Sequence, residues 1–123
     1  MTAADPIILH NPRCSKSRQT LALLREAGHE PVIREYLKEP LSRDELQRLG
    51  AQLIHPISDL VRGNDARPLG FVAGQHDVLE WLVEHPQTMQ RPVVIARGRA
   101  AIGRPPESTL TLFDEPNTTD ETS

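Results

Sequence analysis

Residues 7–36 confine the fold more tightly than any other part of the chain. Ile7, Ile8 and Leu9 form a short apolar run, His10-Asn11-Pro12-Arg13 interrupts it, and Cys14 closes the polar loop. A run of that length, bounded by turn residues, reads as a buried strand. From Ser15 the apolar positions return at helical spacing, with Leu21, Leu24 and Ala27, until Gly28 supplies a terminator. Pro31 then leads into a second apolar run, Val32 to Tyr36. Strand, helix and strand in so short a span predict a parallel, right-handed unit with Cys14 at the helix N-terminus.

The rest of the chain is punctuated by proline, glycine and capping residues. Pro40 breaks it, and Ser42 with Glu45 forms a capping box opening a helix that carries Leu46 and Leu49. Ile57, Leu60 and Val61 mark a short helical piece ending near Arg62-Gly63, and Asn64 to Gly74 reads as a loop. Asp77 caps an amphipathic helix whose expected inner face is Val78, Leu79, Leu82 and Val83, stopped by His85-Pro86. Pro92–Ala96 and Ala100–Ile102, joined by Arg97-Gly98-Arg99, predict a hairpin. Pro105-Pro106-Glu107 suits the first turn of a closing helix that buries Leu110 and Leu112 or Phe113. This order predicts an α/β fold, a thioredoxin-like mixed sheet with an inserted helical segment. One domain is expected over residues 1–113, with 114–123 an acidic, disordered tail.

Composition limits the function classes. The chain has 123 residues, 37% of them apolar but only 3% aromatic, so the core must come from Leu, Val, Ile and Ala. No stretch approaches the ~20 apolar residues of a membrane span, and no leader pattern is visible, so the cytoplasm is the expected location; a monomer is expected as well. A net charge of −3 argues against a nucleic-acid partner. Of the 14 basic residues, all but Lys16 and Lys38 are arginines, whose planar fork grips two oxygens of an oxyanion. His29, His55, His76 and His85 have no metal-ligand spacing, and no metal or bound cofactor is expected. A single cysteine can form neither an internal disulfide nor a cysteine-rich zinc site. Cys14 is therefore either an inert core thiol or a nucleophile.

Its surroundings favour the nucleophile. A helix N-terminus favours both a thiolate and an incoming anion. Arg13, Lys16 and Arg18 add positive charge, while Ser17 and His10 offer hydrogen bonds. Two familiar chemistries fail: the sixth residue after Cys14 is Thr20 rather than the arginine of a thiol phosphatase, and Ser17 stands where a dithiol oxidoreductase needs its second cysteine.

The loop His10-Asn11-Pro12-Arg13-Cys14-Ser15-Lys16-Ser17-Arg18 resembles the active-site loop of the glutaredoxin-coupled arsenate reductases. Three later segments are similar to places where that family sets oxyanion-binding arginines: Leu60-Val61-Arg62, Arg91-Pro92-Val93-Val94 and Arg104-Pro105-Pro106-Glu107. The resemblance implies Cys14 as nucleophile on arsenic, Arg62, Arg91 and Arg104 as an anion clamp, and His10, Asn11 and Ser17 as tuners of the thiolate. Arg18 is a weaker correspondence, and Arg91-Pro92 resembles the thioredoxin-group position where a proline, often cis, faces the reactive sulfur. Two departures stand out: Ser15-Lys16 replaces the Gly-Thr of the best-known members, and the stretch from Arg62 to Asp77 is shortened.

One thiol cannot supply two electrons through an internal disulfide, so outside thiols must complete any reduction. The resemblance implies arsenate as substrate, glutathione as co-substrate and glutaredoxin as partner. Two other readings remain open at the level of sequence. One is an Spx-like regulator contacting RNA polymerase, a group that commonly carries a cysteine pair. The other is a glutathione-linked thiol protein that reduces no oxyanion.

Overall fold

The computed structural model describes residues 6–114. Strand β1 (Ile7–His10), helix α1 (Ser15–Glu26) and strand β2 (Val32–Glu35) form the expected unit, with β1 and β2 parallel and Ile7 opposite Val32. Strand β3 (Val93–Ala96) lies antiparallel to β1 on its other side, and β4 (Arg99–Ile102) antiparallel to β3. The sheet order is β2-β1-β3-β4, a mixed sheet. Between β2 and β3 run α2 (Arg43–Gln52), α3 (Gly63–Ala66) and α4 (Val78–Glu84), with 3-10 turns at Ile57–Leu60, Arg67–Leu69 and Pro86–Thr88. Among the described residues, no helix is long and apolar enough to cross a membrane. Except for Asp114, the expected tail lies outside them.

Strand side chains alternate between two cores. Leu9, Val93, Ala100 and Ile102 face the inserted segment and pack with Leu46, Leu49, Leu60, Trp81 and Leu82. Ile8, Val94, Ala96 and Ala101 face the other way and pack with Leu24 of α1 and Leu112. The sheet is thus covered on both sides, which fixes α1, and Cys14 at its start, against one face.

Local chemistry accounts for the element ends. α1 closes in a Schellman arrangement: the Gly28 amide donates to the Arg25 carbonyl, the His29 amide to that of Leu24, and Gly28 adopts φ +94°. At α2 the Ser42 hydroxyl accepts from the Glu45 amide while the Glu45 carboxylate accepts from the Ser42 amide, completing the capping box. Asp77 caps α4 through the Glu80 amide.

Four expectations need correction. The stretch from Asn64 to Gly74 is not all loop, because α3 and the turn after it bury Ala66 completely. On α4 the inner face is Trp81 and Leu82, with Val78 and Leu79 partly covered and Val83 exposed; the helix is rotated to seat the indole, whose N–H donates to the Thr88 hydroxyl. The hairpin turn has two residues, Arg97 (φ 55°) and Gly98 (φ 76°), the left-handed pair that matches strand twist, so Arg99 joins β4. The closing segment, Pro106–Phe113, is a 3-10 helix, and its buried residues Pro106, Thr109 and Leu112 recur every third position, leaving Leu110 and Phe113 only partly covered.

Leu24 is fully buried between α1 and the sheet. Leu24→Ala is expected to cost about 2–5 kcal/mol in denaturant unfolding. Arg34 ties β2 to α2 through Glu45 at 2.7 Å. That hydrogen bond, helped by the Ser42 amide, pulls the Glu45 carboxyl from 4.5 down to about 2. The pair's stabilisation is therefore complete above about pH 4.5 and lost as pH falls towards 2. Solvent screening keeps it to about 1 kcal/mol or less, and Glu45→Gln should flatten the acid limb of a pH–stability curve by that amount.

Candidate active site at Cys14

The loop from His10 to Cys14 is shaped by its own short-range hydrogen bonds. The Cys14 amide donates to the Asn11 carbonyl at 2.9 Å, and the Arg13 amide to Asn11 Oδ1 at 3.0 Å. The Asn11 amide donates to Ser17 Oγ at 3.0 Å, and Arg18 Nη1 braces the Pro12 carbonyl at 2.8 Å. Cys14 has extended backbone angles and is the N-cap of α1, so its sulfur lies where the first helical amides are unpaired.

His10 and Ser17 are buried and bond to each other, Nδ1 to Oγ at 2.6 Å. Ser17 Oγ also accepts from the Asn11 amide, so one hydroxyl joins the end of β1, the loop and the first turn of α1. Burial lowers the His10 pKa, helped by Arg18 and Arg25 against an opposing Glu35, which fits a neutral ring. Their side chains thus hold the loop rather than the sulfur, and Ser17 reaches the thiolate through its backbone amide.

Three arginines distant in sequence line one cleft with Cys14. Arg104, just past β4, sets Nη2 at 3.5 Å from Sγ, and its Nε donates to the Arg91 carbonyl at 2.9 Å. Arg91, before β3, and Arg62, the N-cap of α3, line the same cleft of about 330 Å³ with Arg13, Lys16 and Asn11. Arg62 therefore lies between the end of the 3-10 turn Ile57–Leu60 and the start of α3, and its amide is tied to the Thr88 carbonyl at 2.8 Å. The Arg91-Pro92 bond is cis, as is Arg104-Pro105. Gly103 lets β4 close on the site, since a Cβ there would lie 2.6 Å from Thr20 Oγ1 and 2.7 Å from Pro92 Cγ.

Burial alone would raise the Cys14 pKa. The Ser17 and Lys16 amides, the Arg104 charge and the Arg91 guanidinium outweigh it, and the thiol titrates below its ordinary value. A half-exposed thiolate beside fixed guanidinium donors can attack an electrophilic centre whose oxygens those donors hold. A larger groove, about 720 Å³ between the sheet and α2, is lined by no cysteine, serine, threonine, lysine or histidine.

Two residues near the site had no mark in the sequence. Asp65 accepts from Arg91 Nη1 at 2.8 Å and lies 3.5 Å from Arg62 Nε. Tyr36 is buried with its hydroxyl unpartnered; burial raises its pKa against the charge of Arg91. The only hint of Asp65 is its spacing, three residues after Arg62.

A thioredoxin-like sheet that offers one helix-capping thiol to an arginine-lined cleft defines a class of single-thiol proteins. The ArsC family profile matches residues 9–112. The arsenate reductase of Haemophilus influenzae is 39% identical over 113 residues, 87% of this chain and 97% of that protein. The Escherichia coli K12 protein YfgD, described as uncharacterised, is 40% identical over 113 residues, 85% of this chain and 93% of its own. The solved structure of an arsenate reductase from Vibrio cholerae superposes with a TM-score of 0.78 at 37% identity, covering 90% of this chain and 99% of that one. The chain belongs to the ArsC family.

Separate contributions to the thiolate can be measured by alkylation rate against pH. Arg104→Ala should raise the Cys14 midpoint with little loss of stability. Ser17→Ala leaves two buried polar groups unpaired, so it should cost about 1–3 kcal/mol in unfolding while moving the midpoint less, because the backbone amide remains.

Proposed function

We propose that this protein is an arsenate reductase in which the Cys14 thiolate attacks arsenic while Arg62, Arg91 and Arg104 hold the substrate oxygens. The observation that carries the reading is the Arg104 guanidinium 3.5 Å from the sulfur, in a cleft that Arg62 and Arg91 also line. Joining a thiolate to an oxyanion brings two negative charges together, and prepositioned cations offset that repulsion before the bond forms. Relatives named arsenate reductase, matched over most of their length, support the same assignment.

The reaction balances with outside thiols. Attack forms the Cys14 S–As bond and expels one arsenate oxygen as water. Glutathione then attacks the Cys14 sulfur; the S–As electron pair stays on arsenic, arsenite leaves, and a mixed disulfide remains. Glutaredoxin takes the glutathione from that disulfide and returns Cys14 as a thiol. In this reading His10, Asn11 and Ser17 tune the thiolate by holding the loop. The enzyme works as a monomer without a bound cofactor, in a cytoplasm that keeps thiols reduced.

Purified protein supplied with glutathione and glutaredoxin should convert arsenate to arsenite, and Cys14→Ser should abolish turnover. Arg104→Ala should lower kcat/KM about 100-fold, the usual loss for one oxyanion donor. No turnover by the wild-type protein would sink the proposal. Cys14 alkylation indifferent to arsenate and sulfate would instead favour a thiol protein that handles no oxyanion.

A further inference from the structure

The cleft holds one feature that works against its apparent purpose. Asp65 places a carboxylate beside two arginines that would bind an anion, and such a charge repels an incoming oxyanion. Its contacts supply the reason for its presence. Arg62 caps α3 and Asp65 follows three residues later, so both lie on one face of that turn. One oxygen, Oδ2, accepts from Arg91 Nη1 at 2.8 Å and pairs with Arg62 Nε at 3.5 Å.

Apart from Cys14 itself, Arg91 is held by little else. Its Nη1 reaches the Met89 carbonyl only at 3.5 Å, and its Nε is buried without a hydrogen-bond partner. A free arginine side chain keeps its rotamer entropy, and neighbouring guanidinium groups repel, so unanchored arginines would disperse. Arg104, by contrast, is fixed by the Arg91 backbone. The clamp is thus a chain of contacts: Asp65 holds the Arg91 side chain, and the Arg91 carbonyl holds Arg104.

We infer that Asp65 is a positioning residue, an internal counter-ion that holds Arg91 against the Cys14 sulfur and Arg62 in the same cleft at the cost of one repelling charge. The inference rests on reading the cleft as an oxyanion site. Besides these groups, Arg104, Lys16 and Arg13 line the cleft with Cys14, and the buried Tyr36 hydroxyl feels both Arg91 and Cys14.

The test is the alkylation midpoint of Cys14 in the full chain carrying Asp65→Asn, Asp65→Glu or Arg91→Ala. A carboxylate acting only as a nearby charge disfavours the thiolate, so its removal would lower the midpoint. A positioning carboxylate gives the opposite sign, because Arg91 leaves the sulfur. The expected result is a midpoint raised by about half a unit or more in Asp65→Asn, largely restored in Asp65→Glu. Asp65→Asn in the Arg91→Ala background should cause no further rise. With arsenate, kcat/KM should fall about tenfold in Asp65→Asn. A lowered or unchanged midpoint overturns the inference, as does an Arg91→Ala midpoint equal to wild type, which decides the matter even if the Asp65 variants do not fold. The titration needs no turnover, so a wild-type protein inactive on arsenate would count against the proposed function and leave the role of Asp65 decided by the thiol alone.

Discussion

The contact between Arg104 and Cys14 joins residues ninety positions apart, and much of the architecture is needed to make it. Arg104 reaches the sulfur only because β4 ends directly beside Pro92, and β4 can end there only because Gly103 has no side chain to meet Pro92 and Thr20. The Gly103 amide closes that junction by donating to the Pro92 carbonyl at 2.9 Å. On the other side, α1 must press Leu24 onto the sheet for its N-terminus to sit opposite the β4 end. The hydrophobic core and the polar site are therefore one geometric problem: the core fixes the distance across which the guanidinium and the sulfur face each other.

Electrostatics adds a second condition. Gathering three guanidinium groups at a half-buried cleft is unfavourable by itself, and the fold reduces that cost in distinct ways. Arg104 is tied to backbone, whereas Arg91 and Arg62 share the Asp65 carboxylate. Burial disfavours the charged form of His10 and lowers its pKa, so the ring adds less positive charge beside the cleft. The thiolate gains most from groups that cannot move, namely the amides at the head of α1, so part of its activation is built into backbone geometry.

What could be read from the sequence follows the range of the interactions involved. The β1-α1-β2 unit, the Ser42–Glu45 capping box and the Asp77 cap depend on residues a few positions apart, and their signals survive without knowledge of the fold. The convergence of Arg62, Arg91 and Arg104 came from resemblance, because nothing in local spacing brings such separated positions together. The rotation of α4 was missed because Trp81 competes for the interior with Val83, and only the Thr88 partner of the indole settles that contest. The 3-10 form of the last helix was hidden because Leu110, Leu112 and Phe113 are equally apolar, while the buried set includes Thr109, whose hydroxyl is satisfied by the Pro106 carbonyl. Asp65 was invisible for a similar reason: an acid in a short polar stretch is ordinary until the cation it holds is located.

The inserted segment between β2 and β3 carries Arg62 and Asp65, whereas the nucleophile and its loop belong to the N-terminal unit. Thiol activation and part of the anion grip therefore reside on separate stretches of polypeptide that meet only after folding. Changes in length or sequence around α3 can reshape what the cleft accepts while the amides that prepare the sulfur stay as they are. A scaffold divided in this way allows selectivity to drift without rebuilding the reactive group, and the stretch after Arg62 is one place where such drift would be written.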